Sequence, residues 1–358
     1  MPIMSVVATI IAGAIAACVT ATAIPVVLVA ARSTGVLIDL PNQRSSHREP
    51  RIRGGGLGLL LGVLTGIGVG VSLGWSPAPV VAVLIVAVVS LSIVGLFDDL
   101  WSLPVWPRLA AQVLVATWVV YEAGAISRLP LPAPADLPLG LLAVPVSVLW
   151  LVAVTNFFNF MDGIDGLAGG EAAVVALGAI VAGWSADASL LAAVLIGSTA
   201  AFLAYNWWPA RIFLGDAGSI PVGFLLATLP FLAPDGRRPH ALLATAVGLA
   251  LFLLDPIETL ARQWRRGARL GTSHRDHCYQ RLIGSDDSHR AVATALICAG
   301  LLLSLAGAAA YRVPAVAWGG PALAALIYVI ERSLAEARSR PVSNGKSVFC
   351  DRHSGQAP

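Results

Sequence analysis

Long apolar stretches separated by short polar segments run through most of the chain. Eleven can be marked off, each bounded by Gly, Pro or charged residues: 4–31, 55–74, 79–97, 108–124, 139–158, 167–184, 187–206, 219–234, 241–260, 291–311 and 315–330. A helix needs about 20 apolar residues to cross a bilayer, and these stretches lack the alternation of β-barrel strands. The pattern therefore predicts an all-α polytopic membrane protein with about 11 transmembrane helices.

Composition supports this fold class. Hydrophobic residues make up 57% of the 358 residues and charged residues only 12%, whereas soluble domains carry about 25% charged residues. This excludes a soluble enzyme, a disordered chain and a basic nucleic-acid-binding domain, so we expect no nucleic-acid partner. We expect residues 1–331 to form a single integral-membrane domain and residues 332–358 to form a disordered cytoplasmic tail.

The placement of basic residues predicts the orientation in the membrane. If the N-terminus is outside, only four of the 23 Lys and Arg residues fall in outer loops: Arg128, Arg237, Arg238 and Arg312. Cytoplasmic loops are the ones enriched in Lys and Arg. The sequence thus predicts an outer N-terminus and a cytoplasmic C-terminus, which puts the acidic motifs described next on the cytoplasmic face.

Three acidic motifs lie at the ends of apolar stretches. Asp98 and Asp99 follow the third stretch. Asn156, Asn159, Asp162 and Asp165 recur every third residue from the end of the fifth stretch onward. Asp216 lies in the turn Gly215–Ser219. Mg²⁺ is commonly held by one or two carboxylates together with substrate phosphates. Solvated helix ends or an N-cap would explain single members, but not four oxygen-bearing side chains at the mouth of one span.

Two inner segments are rich in arginine. The first contains four arginines before Gly54, Gly55 and Gly56, at the predicted start of a helix, where backbone N–H groups favour an anion. The second, residues 262–282, contains six arginines, which suit phosphate or sugar oxygens. His274, His277 and Cys278 lack a fourth ligand for zinc. Both segments predict phosphate binding, with the ordinary inner excess of positive charge as the alternative.

These motifs, in this order, resemble those of the polyprenyl-phosphate N-acetylhexosamine-1-phosphate transferases, bacterial glycosyltransferase family 4. The matching pieces lie within residues 37–282: DLPNQRSSH…RGGG, FDDL, NFFNFMDGIDGLAGG, FLGDAGS and SHRDHCYQRL. The resemblance implies transfer of N-acetylhexosamine 1-phosphate from a UDP-sugar to polyprenyl phosphate, such as undecaprenyl phosphate, with release of UMP. It also implies Mg²⁺, or alternatively Mn²⁺, and an active site on the cytoplasmic side of the bacterial inner membrane.

The resemblance also implies roles for individual residues. The catalytic residues would be Asp98, Asp99 and Asp216, with Asp98 as candidate base. The Mg²⁺ ligands would be Asp216 and Asn159. The nucleotide-sugar contacts would be Asp162, Asp165, Asn206, Phe213, His274, Arg275 and His277. The phosphate contacts would be Arg108 together with Gly54 and Gly55.

The branch of the family and the rival functions remain open at this point. The cell-wall branch, the phospho-MurNAc-pentapeptide transferases, typically carries three consecutive histidines in the last inner loop, whereas this chain reads His-Arg-Asp-His. That difference favours the branch that initiates O-antigen-type polysaccharides. A lipid transporter or flippase is the alternative of another class, and it would place polar groups near the membrane midplane. A homodimer is one possible assembly.

Overall fold

The computed structural model of the protein describes residues 3–39, 50–129, 137–267, 277–283 and 288–339. Within these ranges the chain is mostly helical, as the apolar stretches predict. The helices are α1 (Ile3–Thr34), α2 (Gly55–Ser72), α3 (Pro79–Trp101), α4 (Val105–Ala123), α5 (Ala143–Met161), α6 (Leu167–Ala182), α7 (Ala186–Asn206), α8 (Asp216–Thr228), α9 (Arg238–Gly248), α10 (Ala250–Arg265), α11 (Cys278–Arg281), α12 (Ser288–Arg312) and α13 (Gly319–Ser339).

The described residues also form two short antiparallel strand pairs and four short 3-10 helices. The strand pairs are β1 (Ile38–Asp39) with β2 (Arg51–Ile52), and β3 (Arg128–Leu129) with β4 (Leu137–Pro138). Ile52 also forms a parallel bridge with Ile212, in the segment between α7 and α8. The β1–β2 pair is thereby tied to the segment that leads into α8.

The number of spans differs from the sequence-based count. Seven described helices are long and apolar enough to cross a bilayer, or eight if the pair Asp216–Leu232 and Asp235–Gly248, bent by 112°, forms one broken span. The predicted count of 11 is thus not confirmed. Helices α6, α9 and α10 have 16, 11 and 16 residues, fewer than the roughly 20 that a crossing takes. The outer N-terminus stays a prediction.

Helix α8 lies at the centre of the bundle. Every residue from Ala217 to Thr228 is buried, and α2, α3 and α5 pack against it. Two glycines permit the close approach: a Cβ at Gly56 would lie 2.2 Å from the Gly218 Cα, and a Cβ at Gly95 would lie 2.3 Å from the Asp216 carbonyl oxygen. Small residues let helix backbones approach closely in membranes. The start of α8 is therefore fixed against the start of α2 and the end of α3.

The polar motifs meet at one end of this bundle. Helices α3, α5 and α7 end there, and α2, α4, α6 and α8 begin there, as the contacts described below show. At the opposite end, the Trp75 indole N–H, just past α2, donates to Asp187 Oδ1 in the first turn of α7 at 2.8 Å. Motifs far apart in sequence thus share one end, as the alternation of spans predicts.

The last helix extends beyond the predicted boundary of the membrane domain. Helix α13 continues to Ser339, past residue 331, where the sequence predicts a disordered tail to begin. An ion pair between Arg332 Nε and Glu336 Oε1 at 2.9 Å, spaced i to i+4, supports the added turns. Residues 340–358 of the predicted tail lie outside the described residues.

Candidate active site

Asp99 anchors the N-terminus of α8. Its carboxylate accepts hydrogen bonds from the backbone N–H groups of Asp216 at 3.1 Å and Ala217 at 3.0 Å, and its side chain is 1% exposed. Gly215, with φ of 73°, makes room, because a Cβ there would lie 2.7 Å from Asp99 Oδ2. A carboxylate at a helix N-terminus is stabilised by the helix dipole. Asp99 thus positions Asp216 at the start of α8, and its predicted catalytic role stays a prediction.

Arg108, at the start of α4, joins two of the predicted catalytic acids. Its Nη1 donates to Asp98 Oδ2 and also to Asp216 Oδ2 at 3.2 Å. The other Asp98 oxygen accepts the Leu103 N–H at 2.6 Å. Arg108 therefore partly neutralises both carboxylates and holds them near each other. Their predicted catalytic roles, and the predicted phosphate contact of Arg108, remain predictions.

Asn159 of α5 completes the surroundings of Asp216. Its Nδ2 donates to Asp216 Oδ1 at 2.9 Å and to Ser219 Oγ at 2.7 Å. One turn deeper, Asn156 Nδ2 donates to Gln112 Oε1 at 2.5 Å, which ties α5 to α4. Helices α4, α5 and α8 are thus joined by polar side chains at this end. Ser219 and Gln112 are members of the site that the sequence-based set of residues omits.

Asp162, just after α5, is a half-buried carboxylate. Burial first, and then the charge of Asp99, raises its pKa from 3.8 to about 7. The charge of Arg53 lowers this pKa, and that of Asp165 raises it. No hydrogen bond from a described residue reaches the Asp162 carboxylate. A carboxylate in such surroundings ionises readily only when a cation approaches.

The donor chemistry at this end suits Mg²⁺. Five carboxylates and two arginines lie here: Asp98, Asp99, Asp162, Asp165, Asp216, Arg53 and Arg108. Hard oxygen donors and excess negative charge are what Mg²⁺ requires. Among the described residues, no three His, Cys, Asp or Glu side chains form a ready-made metal site. In this structure Asn159 Nδ2 faces the Asp216 carboxylate. For the two residues to bind one metal ion, the Asn159 side-chain amide would have to turn so that Oδ1 faces the ion.

Asp165 and Asn206 hold the backbone together. Asn206, 5% exposed, accepts the Gly166 N–H at 2.9 Å and donates to the Ile212 carbonyl at 2.9 Å. Asp165 Oδ2 accepts the Ala210 N–H at 2.8 Å. Both side chains therefore fix the segment between α7 and α8 against the α5–α6 turn. Both amide atoms of buried Asn206 bind backbone groups, and its predicted nucleotide contact stays a prediction.

The glycine run at the start of α2 also has a structural role. The Gly55 N–H donates to the Phe213 carbonyl and the Gly56 N–H to the Leu214 carbonyl, both at 2.9 Å. The Gly55 N–H is therefore not free for the predicted phosphate contact. Gly54 lies at φ of 105°, a conformation that favours glycine at the helix start. Phe213 is half-buried, and its predicted contact with the nucleotide-sugar stays a prediction.

His277 lies against a buried acid that the sequence-based set omits. Its Nδ1 is 3.1 Å from Oδ1 of Asp255, a fully buried residue of α10. The only sequence signal was a lone aspartate near the inner end of an apolar stretch. His274 and Arg275, predicted to contact the donor, lie outside the described residues.

The part of the chain that carries this site matches a known protein family. A sequence model of glycosyl transferase family 4 matches residues 81–233, which contain Asp98 through Asp216 but neither the glycine run nor His277. A Bacillus subtilis (strain 168) protein, described as a probable undecaprenyl-phosphate N-acetylglucosaminyl 1-phosphate transferase, is 27% identical over 274 residues, 75% of each chain. A decaprenyl-phosphate N-acetylglucosaminephosphotransferase of Mycobacterium leprae (strain TN) is 29% identical over 284 residues, 70% of this chain and 71% of the relative.

The chain also resembles a protein of the cell-wall branch. A phospho-N-acetylmuramoyl-pentapeptide-transferase of Trichormus variabilis is 37% identical over 199 residues, 50% of this chain and 52% of the relative. That similarity spans about half of either chain. The relatives named here therefore include transferases of two kinds.

Proposed function

We propose that the chain is a member of glycosyl transferase family 4, whose sequence model matches residues 81–233, and that it transfers an N-acetylhexosamine 1-phosphate from a UDP-sugar to a polyprenyl phosphate, such as undecaprenyl phosphate. The products are UMP and a polyprenyl-diphosphate-linked sugar. The observation that carries the proposal is the convergence of Asp98, Arg108, Asn159 and Asp216 at the N-terminus of the buried helix α8. Acids, an arginine and a helix N-terminus together suit two phosphate-bearing substrates.

In the proposed reaction, an oxygen of the lipid phosphate forms a bond to the phosphorus that carries the sugar. The bond from that phosphorus to the UMP oxygen breaks, and UMP leaves with the electron pair. A phosphate monoester has its second pKa near about 6 and is already largely ionised at neutral pH. The protein therefore mainly positions the two substrates and neutralises their charge.

Different residues of the site position the substrates and neutralise their charge. Arg108 faces Asp98 and Asp216 and is placed to receive a phosphate oxygen when one of these acids is drawn toward a cation. Asp216 with Asn159 would hold Mg²⁺, with Mn²⁺ as a possible substitute, and the ion would supply charge neutralisation on the diphosphate. Asp99 keeps Asp216 at the start of α8. Asp98, bound to Arg108, acts electrostatically, since the ionised lipid phosphate needs no base.

The branch is proposed from the last inner loop and from the relatives. Two relatives named above are described as N-acetylglucosamine 1-phosphate transferases acting on polyprenyl phosphates. The sequence His-Arg-Asp-His, in place of three consecutive histidines, favours the branch that initiates surface polysaccharides of the O-antigen type. The second candidate is the phospho-MurNAc-pentapeptide transferase, favoured by the 37% identity to such a protein. We place the site on the cytoplasmic side of a bacterial inner membrane because arginines concentrate at that end of the chain's spans.

A donor panel tests this proposal. Purified protein in detergent is mixed with undecaprenyl phosphate, Mg²⁺ and, separately, UDP-GlcNAc, UDP-QuiNAc, UDP-FucNAc or UDP-MurNAc-pentapeptide, and lipid-linked sugar is measured. Product from an N-acetylhexosamine donor supports the proposed branch. Product only from UDP-MurNAc-pentapeptide indicates the cell-wall branch. Folded protein that yields no product with any donor, but moves labelled lipid between vesicle leaflets, would establish the flippase alternative.

A further inference from the structure

A second set of polar contacts centres on Asp255 of α10, away from the start of α8. Its side chain has 0% exposure, yet its carboxylate is reached by three groups. His277 Nδ1 and Thr259 Oγ1 each lie 3.1 Å from Oδ1, and the Tyr279 N–H donates to Oδ2 at 3.3 Å. Burying a carboxylate is costly unless it is well hydrogen-bonded. Asp255 therefore holds α11 and the residue before it in place.

Helix α11 in turn packs on the α5–α6 turn of the site. The Tyr279 hydroxyl donates to the Phe160 carbonyl at 3.1 Å. A Cβ at Gly163 would lie 2.0 Å from that hydroxyl, so the turn has room for this contact only with glycine. Asp162 lies between these two positions. The contacts thus run from Asp255 through α11 to the turn that carries Asp162.

Resting on the proposed function, we infer that Asp255 is a positioning residue for the UDP-sugar: it holds α11 against the α5–α6 turn and orients the His277 ring. With Nδ1–H donating to the Asp255 carboxylate, Nε2 is the nitrogen left to accept a hydrogen bond from a sugar hydroxyl of the donor or, when the ring is protonated, to donate one to a phosphate oxygen. A carboxylate that accepts a hydrogen bond from a functional histidine fixes the orientation and the tautomer of the ring. Where the histidine is a metal ligand, loss of such a carboxylate lowers metal affinity or activity about 10–100-fold.

Transfer kinetics of Asp255→Asn, His277→Gln and the double variant test the orienting role. We expect kcat/KM for the donor to fall at least about 10-fold in Asp255→Asn, while the KM for polyprenyl phosphate stays within about 2-fold. Because Asp255 acts through His277, the double variant should be no worse than His277→Gln alone. Additive losses, or equal losses for the two substrates, would overturn the inference.

The matched control is Glu331→Gln on α13. Glu331 is a 5% exposed acid, and neither of its carboxylate oxygens is hydrogen-bonded to a described residue. Its carboxylate lies close enough to that of Asp255 for the two charges to repel, and no hydrogen bond among the described residues joins it to His277. We expect wild-type kinetics from this variant. A donor-specific loss in Glu331→Gln would mean that charge alone, and not the Asp255–His277 contact, accounts for the effect.

Labelling of Cys278 tests the docking of α11 without any transfer reaction. This thiol has 0% exposure, and burial raises its pKa to about 11, so alkylation of the docked helix is slow. We expect Asp255→Asn to raise its rate of N-ethylmaleimide labelling at least about 10-fold, measured peptide by peptide by mass spectrometry. An unchanged rate overturns the inference even if transfer is confirmed. Faster labelling in a protein that transfers nothing refutes the proposed function but leaves the docking role of Asp255 standing.

Discussion

Asp99→Asn should destabilise the protein far more than the same change at its neighbour Asp98. The Asp99 carboxylate accepts two backbone N–H groups, at 3.1 and 3.0 Å, in a site where it is 1% exposed. Asparagine has one oxygen and one NH₂ group, so one of the two N–H donors loses its acceptor. A buried donor without a partner costs about 1–3 kcal/mol.

This loss, about 1–3 kcal/mol in the free energy of unfolding, is large enough to measure. Thermal unfolding followed by tryptophan fluorescence in detergent should show Tm lowered by about 1–4 °C. Asp98→Asn is the matched control, because its remaining oxygen can still accept the Leu103 N–H. We expect its Tm to change by less than about 1 °C while turnover falls about 100-fold. An Asp99→Asn protein with the wild-type Tm, or two variants that are equally destabilised, would refute this assignment.

Four further outcomes are expected. Asp216→Asn should reduce kcat at least about 100-fold with an unchanged size-exclusion profile, and near-normal kcat in both this variant and Asp98→Asn would contradict the site. The pKa of Asp162 rises from 3.8 to about 7 on folding, so the metal-free folded state holds a proton that the unfolded state releases between about pH 4 and pH 7. Its Tm in EDTA should therefore fall as pH rises through that window, and Asp162→Asn should flatten the fall; an equally steep fall in the variant would assign it to other groups. Asn206→Leu should lower the free energy of unfolding by about 2–4 kcal/mol in thermal or denaturant unfolding, since two buried backbone partners are left unpaired; a wild-type value would rule out the loop-fixing role. Cys278→Ser should leave kcat close to wild type, and a large loss accompanied by loss of bound zinc would revive the zinc cluster.

The sequence predicted where the chemistry gathers because alternation of spans is a strong constraint. Asp98, Asn159 and Asp216 each stand at the end of an apolar stretch that the orientation assigns to one face. The structure brings Asp98 to Arg108, and both Arg108 and Asn159 to Asp216. The hydropathy pattern was enough to predict this clustering, because a residue at the end of a spanning helix must lie at the membrane face where that helix ends.

The sequence could not tell ligand contacts from backbone supports. Asn206 and Asp165 carry the same oxygen atoms as a metal or nucleotide ligand, and only the fold shows that Gly166, Ile212 and Ala210 bind them. The glycines of α2 likewise suggest an anion site, whereas long-range packing commits the Gly55 N–H to a carbonyl before α8. Such assignments depend on contacts between segments distant in the chain, which local pattern does not encode.

The span count failed for a related reason. Hydropathy alone does not separate a helix that crosses the bilayer from an apolar helix packed inside the bundle. Helix α8 has 13 residues and is buried from Ala217 to Thr228. Its apolar side chains therefore pack against neighbouring helices and not against lipid. The lone Asp255 gave no pattern at all, and its role emerges only from α11 lying against it.

The most direct test of the central claim measures both products of one reaction mixture. Wild-type protein with undecaprenyl phosphate, Mg²⁺ and the best UDP-N-acetylhexosamine should release UMP and form lipid-linked sugar in equal molar amounts. EDTA should abolish both products, restored Mg²⁺ should recover them, and Asp216→Asn should lower both at least about 100-fold. UMP without lipid-linked sugar, or equal product from wild type and Asp216→Asn, would contradict the account.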